Sequence, residues 1–288
     1  MRTDRAVGLS TYSIVGADPE AGECGVAVQS KFLAVGAYVP WARSGVGAVA
    51  TQAHAEITYG NRGLQMLESG LTPDVVIEGL VTDDEMRSHR QVGIVNADGA
   101  SATYTGEDCF EHAVGVSGQN FAAQGNILSN PDVPEAMAAA FLGSSGRLVD
   151  RLFAALAAGE AAGGEKRGME SAALLVVRPG GGYGGNHDRW LDLRIDHSDG
   201  PIEDLGGLID LHTLYFGRTD PGDLLAFDDG LQTEVRRLLD AIGWWDASES
   251  LGDNLQNWLG WHNLEERWVN ESLIDPVVLG ELRKTPTA

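Results

Sequence analysis

The sequence is poor in lysine and strongly acidic. Only Lys31, Lys166 and Lys284 represent lysine, and 42 Asp and Glu against 20 Lys and Arg give a net charge of −22. Phosphate contacts need clustered basic residues, so the charge argues against nucleic acid and against an anionic membrane as partners. Such a surface is typical of a high-salt cytoplasm, where self-repulsion is screened, or of GC-rich coding bias, and both explanations stay open.

The sequence is also poor in cysteine and lacks long apolar runs. Cys24 and Cys109 share no metal-ligand spacing, so no zinc site is indicated and no cofactor is expected. No run reaches the roughly 18 apolar residues of a membrane-spanning helix, and the first residues lack the apolar core of a secretory signal. We therefore expect a cytoplasmic protein, and its 43% hydrophobic residues favour a packed core.

Short apolar runs separated by turn residues predict consecutive β-hairpins. The predicted strands are 12–15, 24–29, 35–38, 46–52, 91–96, 100–104, 112–117, 121–125, 171–178 and 190–195. Four helices, predicted at 60–70, 72–80, 134–142 and 146–159, come in two pairs between the groups of strands. This order predicts an α+β fold in which two stacked antiparallel sheets lie between two helical layers, a four-layer αββα sandwich.

The composition changes near His212, because five of the seven tryptophans follow it. Residues 213–288 are predicted to form a small all-α domain with an aromatic core, after a first domain of residues 1–212 and a linker over 201–213. Its predicted helices are 231–242, 251–258 and 275–282. Tryptophans are usually core residues, and a sugar-stacking groove would require at least two exposed rings.

Several motifs resemble one known family. They include Thr11-Tyr12-Ser13-Ile14-Val15, the run 25–32, the run 39–52, Tyr59-Gly60-Asn61-Arg62-Gly63-Leu64, Gln124-Gly125-Asn126-Ile127-Leu128, the run 171–177 and Tyr183-Gly184-Gly185. In this order they resemble the "domain of unknown function 1028" proteins, which are assigned to the N-terminal-nucleophile hydrolase superfamily with its αββα sandwich. The tail, through 231–242 and Gly243-Trp244-Trp245, resembles a peptidoglycan-binding-like module. The resemblance implies a hydrolase of linear or cyclic amide C–N bonds.

The resemblance implies that Thr11 is the nucleophile once the Ser10–Thr11 bond is cleaved. A freed α-amine titrates close to neutrality and can accept the hydroxyl proton. Backbone donors near Gln52 and Asn126 are expected to hold the oxyanion, although a simple turn also explains Asn126. Lys31 is expected to tune the amine or hold a substrate carboxylate. The alternatives are that Thr11 is an ordinary strand residue and Lys31 a solvated strand end.

Four further residues are candidates for substrate binding. Ser13 shares the strand face of Thr11 and is expected to be its hydrogen-bonding neighbour. Arg43 is expected to bind an anionic group, with a surface ion pair as the alternative. Glu56 either lines the cleft or faces solvent, and Asp188 is expected near the cleft, where an ion pair with its neighbour Arg189 is the alternative.

The glycine-rich run 180–185 joins two predicted strands and opens no helix, so a hairpin turn is expected there instead of a phosphate loop. The expected partners are a small-molecule amide or peptide substrate and further copies of the chain in a homo-oligomer. The alternative function is a non-catalytic binding protein on the same scaffold, which would recognise a glycan, a muropeptide or a protein partner.

Overall fold

The structure, a computed structural model, describes residues 11–110 and 112–286. The segment before Thr11, which carries the Ser10 side of the predicted cleavage site, lies outside the described residues. In chain order the strands are β1 Thr11–Asp18, β2 Glu23–Ser30, β3 Pro40–Arg43, β4 Gly47–Ala53, β5 Arg90–Asn96, β6 Ser101–Thr105, β7 Val114–Gly118, β8 Phe121–Asn126, β9 Ser171–Val177, β10 Arg189–Ile195, β11 Leu225–Ala226 and β12 Leu273–Ile274. The α-helices are α1 Thr58–Glu68, α2 Pro73–Val81, α3 Val133–Gly143, α4 Leu148–Ala161, α5 Pro201–Phe216, α6 Asp229–Ala241, α7 Leu251–Trp261 and α8 Pro276–Lys284.

Two antiparallel sheets organise the first part of the chain. One has six strands in the order β10-β9-β2-β1-β8-β7, and the other has four in the order β3-β4-β5-β6. Strands that follow one another in the sequence pair as hairpins in both sheets, as in β1 with β2 and β5 with β6. The mixed α/β fold with antiparallel sheets predicted from the sequence is therefore confirmed.

Successive side chains of β1 point to opposite faces of the sheet, so they lie in two different surroundings. Val15 belongs to a buried apolar cluster with Ala48 and Ala50 of β4, so it lies between the sheets. Tyr12 points the other way and donates its hydroxyl to Glu160 of α4 at 3.0 Å. Helices α3 and α4 contact the six-stranded sheet, and α1 and α2 contact the four-stranded sheet. None of the described helices is long and apolar enough to cross a membrane.

The strand register brings polar residues to one end of the sheets. Thr11 pairs with Ser30 on β2 and with Asn126 on β8. In the other sheet, Gln52 near the end of β4 pairs with Gln91 near the start of β5. The predicted catalytic region thus occupies strand ends.

The chain divides into two compact units between Gly207 and Leu208, inside α5. The linker predicted over residues 201–213 is therefore wrong, since this segment is helical. Its helix buries Ile202, Leu205 and Ile209, and that apolar spacing outweighs the helix-breaking tendency of the adjacent glycines. The predicted domains 1–212 and 213–288 stay a prediction.

The strand predicted at 35–38 is also wrong, because Val35–Ala37 forms a short 3-10 helix. Ala34 enters it in the left-handed conformation, with φ of 53°, which turns the chain away from β2. A Cβ at Gly36 would lie 2.6 Å from the Cβ of Ala173, so this turn depends on a close backbone approach to β9. Strand β3 begins only at Pro40.

Candidate active site at the end of the two sheets

Thr11 opens the central strand β1 and is completely buried. Its Oγ1 donates to Ser30 Oγ at 3.2 Å. Its carbonyl oxygen accepts from Gln52 Nε2 at 3.3 Å and from Asn126 Nδ2 at 3.4 Å. The structure therefore brings together three of the four predicted catalytic residues, Thr11, Gln52 and Asn126.

A continuous run of hydrogen bonds, which we call the amide chain, connects the sheets through Gln124, Ser13, Gln52 and Gln91. Ser13 Oγ accepts from Gln124 Nε2 and donates to Gln52 Oε1, both at 2.6 Å. Gln52 Nε2 donates to Gln91 Oε1 at 2.8 Å, and Asn126 Nδ2 donates to the same oxygen at 3.0 Å. Ser13 is therefore one step from Gln52 in this run.

Backbone carbonyls fix the orientation of each amide in this chain. A carbonyl can only accept, so the amide atom facing it must be nitrogen. Gln124 Nε2 faces the carbonyl of Ser13 at 3.3 Å, and Gln91 Nε2 faces the carbonyl of Gly125 at 2.8 Å. Gln52 Nε2 faces the carbonyl of Thr11 in the same way. The amide chain thus has one direction, from Gln124 to Gln91.

The amide chain is fully buried and carries no titratable side chain. Its members are neutral, and their donors and acceptors are paired with one another. Buried polar groups need such partners, because little water is present to supply them. The site can therefore orient polar atoms without the desolvation cost of a buried ion.

Two residues with left-handed backbone conformation follow the amides that hold Thr11. Ala53, directly after Gln52, has φ of 65°, and Ile127, directly after Asn126, has φ of 51°. This conformation is unfavourable for a residue with a Cβ and most of all for a β-branched one such as Ile127. Strained backbone of this kind concentrates at functional sites, where it directs polar groups.

An ion-pair network fixes the chain beyond Ala53. Arg90 Nε donates to Asp84 Oδ2 at 2.7 Å, and Arg90 Nη1 donates to the His54 carbonyl at 2.5 Å. Tyr59 Oη also donates to Asp84, at 2.7 Å. The hydrogen bonds from Arg90 and Tyr59 hold the pKa of the Asp84 carboxyl well below its usual range. Burial and the neighbouring Asp84 raise the pKa of the Tyr59 phenol.

The predicted substrate-binding residue Glu56 lies at the edge of this network. Its carboxylate accepts from the hydroxyl of Thr58 at 2.7 Å and from the Thr58 backbone N–H at 3.1 Å. These bonds lower the pKa of Glu56. A distance of 3.8 Å separates its Oε2 from Arg90 Nη2. In the structure Glu56 thus pairs with Thr58, the first residue of α1.

Lys31 and Arg43 use their charges elsewhere. Lys31 Nζ donates to the Met169 carbonyl at 2.8 Å and to Glu170 at 3.2 Å, and no hydrogen bond between described residues joins it to Thr11. Arg43, the last residue of β3, pairs with Gly47 at the start of β4. It forms an ion pair with Glu68 at 2.5 Å. Neither charge joins the amide chain.

Asp188 lies in the turn between β9 and β10. It accepts from the backbone N–H of Gly180 at 2.9 Å, inside the glycine-rich run. Strand β9 begins beside Ser30 and ends beside Cys24, so this turn is at the end of the sheet opposite to Thr11. The structure therefore separates Asp188 from the amide chain.

Sequence reasoning missed Gln91, which accepts from both Gln52 and Asn126. The available signal was an amide side chain at the head of the apolar run Val92-Gly93-Ile94-Val95, because a buried amide needs partners. Its partners come from β4 and β8, however, and strand pairing between distant segments was not deducible from spacing.

The two cysteines are free. Burial raises the pKa of the Cys24 thiol to about 12, and burial also raises the pKa of Cys109. Both therefore stay protonated near neutral pH, which disfavours a thiolate nucleophile. Within residues 11–110 and 112–286, no group of three or more His, Cys, Asp and Glu is placed to hold a metal ion.

The tryptophans after Gly207 mostly build the core of the second unit. Trp258 is 1% exposed, and Trp244, Trp245 and Trp268 are half-buried around the same cluster. Trp261 alone among these five is exposed, at 74%. The described tryptophans of this unit therefore do not supply the two exposed rings that a sugar-stacking groove would require.

Comparisons with known proteins agree with the motifs. The model of the family of unknown function DUF1028 matches residues 11–205. The crystal structure of protein SPO2555 from Silicibacter pomeroyi, described with the same family, is 33% identical to this chain. The similarity covers 71% of this chain and 86% of that protein, with a TM-score of 0.65. No curated protein matches. Because the family model spans more than half of the sequence, the chain belongs to the DUF1028 family.

Proposed function

We propose that this protein is an N-terminal-nucleophile hydrolase of linear or cyclic amide C–N bonds, with Thr11 as nucleophile. The supporting observation is the position of Thr11 at the start of the central strand, with its carbonyl held by Gln52 and Asn126. A nucleophile needs a fixed backbone, and two amide donors on one carbonyl supply it.

The proposal requires that the Ser10–Thr11 peptide bond is hydrolysed first. The Thr11 hydroxyl oxygen then adds to the substrate carbonyl carbon, and its proton moves to the freed Thr11 amine. The C–N bond breaks, the leaving nitrogen takes that proton, and the acyl group remains as an ester on Thr11. Water hydrolyses the ester and restores the hydroxyl.

Backbone N–H groups at the turns after Gln52 and Asn126 are the proposed oxyanion donors. The left-handed residues Ala53 and Ile127 support this assignment, because they change the direction of the backbone at these positions. Gln52 and Asn126 themselves then act by positioning Thr11, because their side-chain amides are already paired with Gln91 and with the Thr11 carbonyl.

The architecture proposed for this function is the four-layer αββα sandwich. It is supported by the contacts of α3 and α4 with one sheet, of α1 and α2 with the other, and of the two sheets with each other. The homo-oligomer expected from the sequence stays a prediction, as does the role of residues 208–288.

Covalent capture of the nucleophile tests the proposal. The protein is treated with an electrophilic amide analogue, such as a β-lactone, and the modified residue is located by peptide mass spectrometry. We expect an ester on Thr11, no adduct in Thr11→Ala, and a retained adduct in Thr11→Ser. Modification of another residue at an undiminished rate in Thr11→Ala would refute the assignment and would favour a binding protein on this scaffold.

A further inference from the structure

A cavity of about 510 Å³ opens between the end of β6 and the start of β7. Its lining includes Thr103, Thr105, Cys109, Phe110, His112 and the Val114 region. Strands β6 and β7 are edge strands of the two sheets, so the cavity lies where the layer between the sheets opens. The volume is sufficient for a small organic molecule.

The amide chain ends at this cavity. Gln91 Oε1 is occupied by the two N–H donors of Gln52 and Asn126, so Gln91 Nε2 points the other way. There it donates to the Gly125 carbonyl at 2.8 Å and to Thr105 Oγ1 at 3.0 Å. Thr105 therefore accepts from Gln91, and its own hydroxyl proton is left for another acceptor.

Thr105 is the place where a ligand can complete the hydrogen bonding. Among the bonds of the described residues, its hydroxyl makes only the one that it accepts from Gln91. Its side chain is half-buried and lines the cavity, so an acceptor in the cavity can receive the proton. The cavity thus presents the Thr105 hydroxyl as a donor. From its partner Gln91, one hydrogen bond leads to Gln52, and a second leads from Gln52 to the Thr11 carbonyl.

The charge around the cavity selects against an anionic acceptor. Among the described lining residues, Glu107 is acidic, His112 is the one side chain that can become positively charged, and none is Lys or Arg. The chain as a whole carries −22. A carboxylate would meet unfavourable potential there, whereas a neutral carbonyl accepts the same hydrogen bond without that cost.

We propose that this cavity binds the carbonyl group of a neutral amide-bearing small molecule, through the hydroxyl proton of Thr105. The inference rests on the proposed function for its meaning, since it places an amide group of the substrate beside Thr105, which three hydrogen bonds connect to the Thr11 carbonyl through Gln91 and Gln52. The inference is tested by measuring binding, and binding requires no cleavage at Thr11.

The test uses two probes of matched shape. N-acetylglycinamide is neutral, and N-acetylglycine replaces its terminal amide with a carboxylate. Each is titrated into the full-length protein, and the Gln91 side-chain NH₂ and Thr105 signals are followed by NMR. We expect saturable shifts with the neutral probe and at least tenfold weaker binding of the carboxylate.

Variants distinguish the hydroxyl from the space around it. Thr105→Val keeps the shape but removes the donor and should abolish the shifts, whereas Thr105→Ser should retain them. Ala113→Leu fills the cavity wall without changing Thr105 and should also weaken binding. Thermal unfolding of each variant shows that it remains folded.

Equal binding of both probes, unchanged binding to Thr105→Val, or no saturable shift at the cavity would overturn the inference. Thr11→Ala separates it from the proposed function, because this variant should still bind N-acetylglycinamide. Binding here without covalent capture of Thr11 by the β-lactone would refute the hydrolase and leave the amide site intact, and capture at Thr11 without binding here would do the reverse.

Discussion

The layer between the two sheets has a polar half and an apolar half. At the Thr11 end, buried side chains form the amide chain, with Ser13, Gln52, Gln91 and Gln124. Toward the other end, the same layer holds an apolar cluster that includes Val15, Val26, Ala50 and Val95. The same strands supply both halves, since β1 places Ser13 in one and Val15 in the other.

This difference in polarity indicates that the apolar half serves folding alone. A fully satisfied buried polar network is seldom more stabilising than an apolar core of equal volume, and it is costly when one member is lost. The amide half lies where the proposed nucleophile and the Thr105 cavity meet, so we attribute its polarity to function.

The largest expected effect comes from Gln91→Leu compared with Val95→Ala, two changes on β5. Gln91→Leu leaves the N–H groups of Gln52 and Asn126 and the Gly125 carbonyl without their partner, which should cost roughly 3–5 kcal/mol of unfolding free energy. Val95→Ala removes two methyl groups from the apolar half and should cost about 2 kcal/mol. Urea unfolding measures both. A smaller loss for Gln91→Leu would contradict the proposed cost of breaking the network.

A smaller effect is expected from Ser13→Ala compared with Cys24→Ala. Each change removes one buried atom, but Ser13 Oγ bridges Gln124 and Gln52, whereas the Cys24 thiol lies in the apolar cluster. Ser13→Ala should cost roughly 2 kcal/mol and Cys24→Ala roughly 1 kcal/mol. Equal losses in urea unfolding would mean that Ser13 contributes packing alone.

The pH dependence of stability should arise outside the amide chain, which has no titratable member. Asp84 has a pKa below its usual range because Arg90 and Tyr59 donate to it. Its contribution is therefore present above about pH 4 and is lost as pH falls toward the lower folded pKa. Asp84→Asn should flatten this acid limb, measured as unfolding free energy between pH 3 and 7.

Gln91→Leu provides the contrast for that measurement. It should lower stability by a similar amount at each pH, because it changes no ionisable group. A pH-dependent loss in Gln91→Leu would show that the amide chain is coupled to the Asp84–Arg90 pair.

The sequence was sufficient for the local elements. Runs such as 24–29 and 121–125 lie inside β2 and β8, and the hydrophobic alternation that predicts them is a local property. The family resemblance implied in addition that Thr11 and Asn126 belong to one site. Gln91 and Thr105 escaped prediction because their importance comes from the pairing of β5 with β4 and from the approach of β7, both non-local. The helix over 201–213 was missed because the adjacent glycines Gly206 and Gly207 interrupt its apolar spacing.

The central claim, that Thr11 acts with a free amine, is tested most directly by the intact mass of the purified protein, with its amide-hydrolysing activity measured on the same sample. The account predicts that the active form lacks the residues from Met1 to Ser10 and begins at Thr11, and that Thr11→Ala keeps them. An active protein that retains the Ser10–Thr11 bond would contradict it.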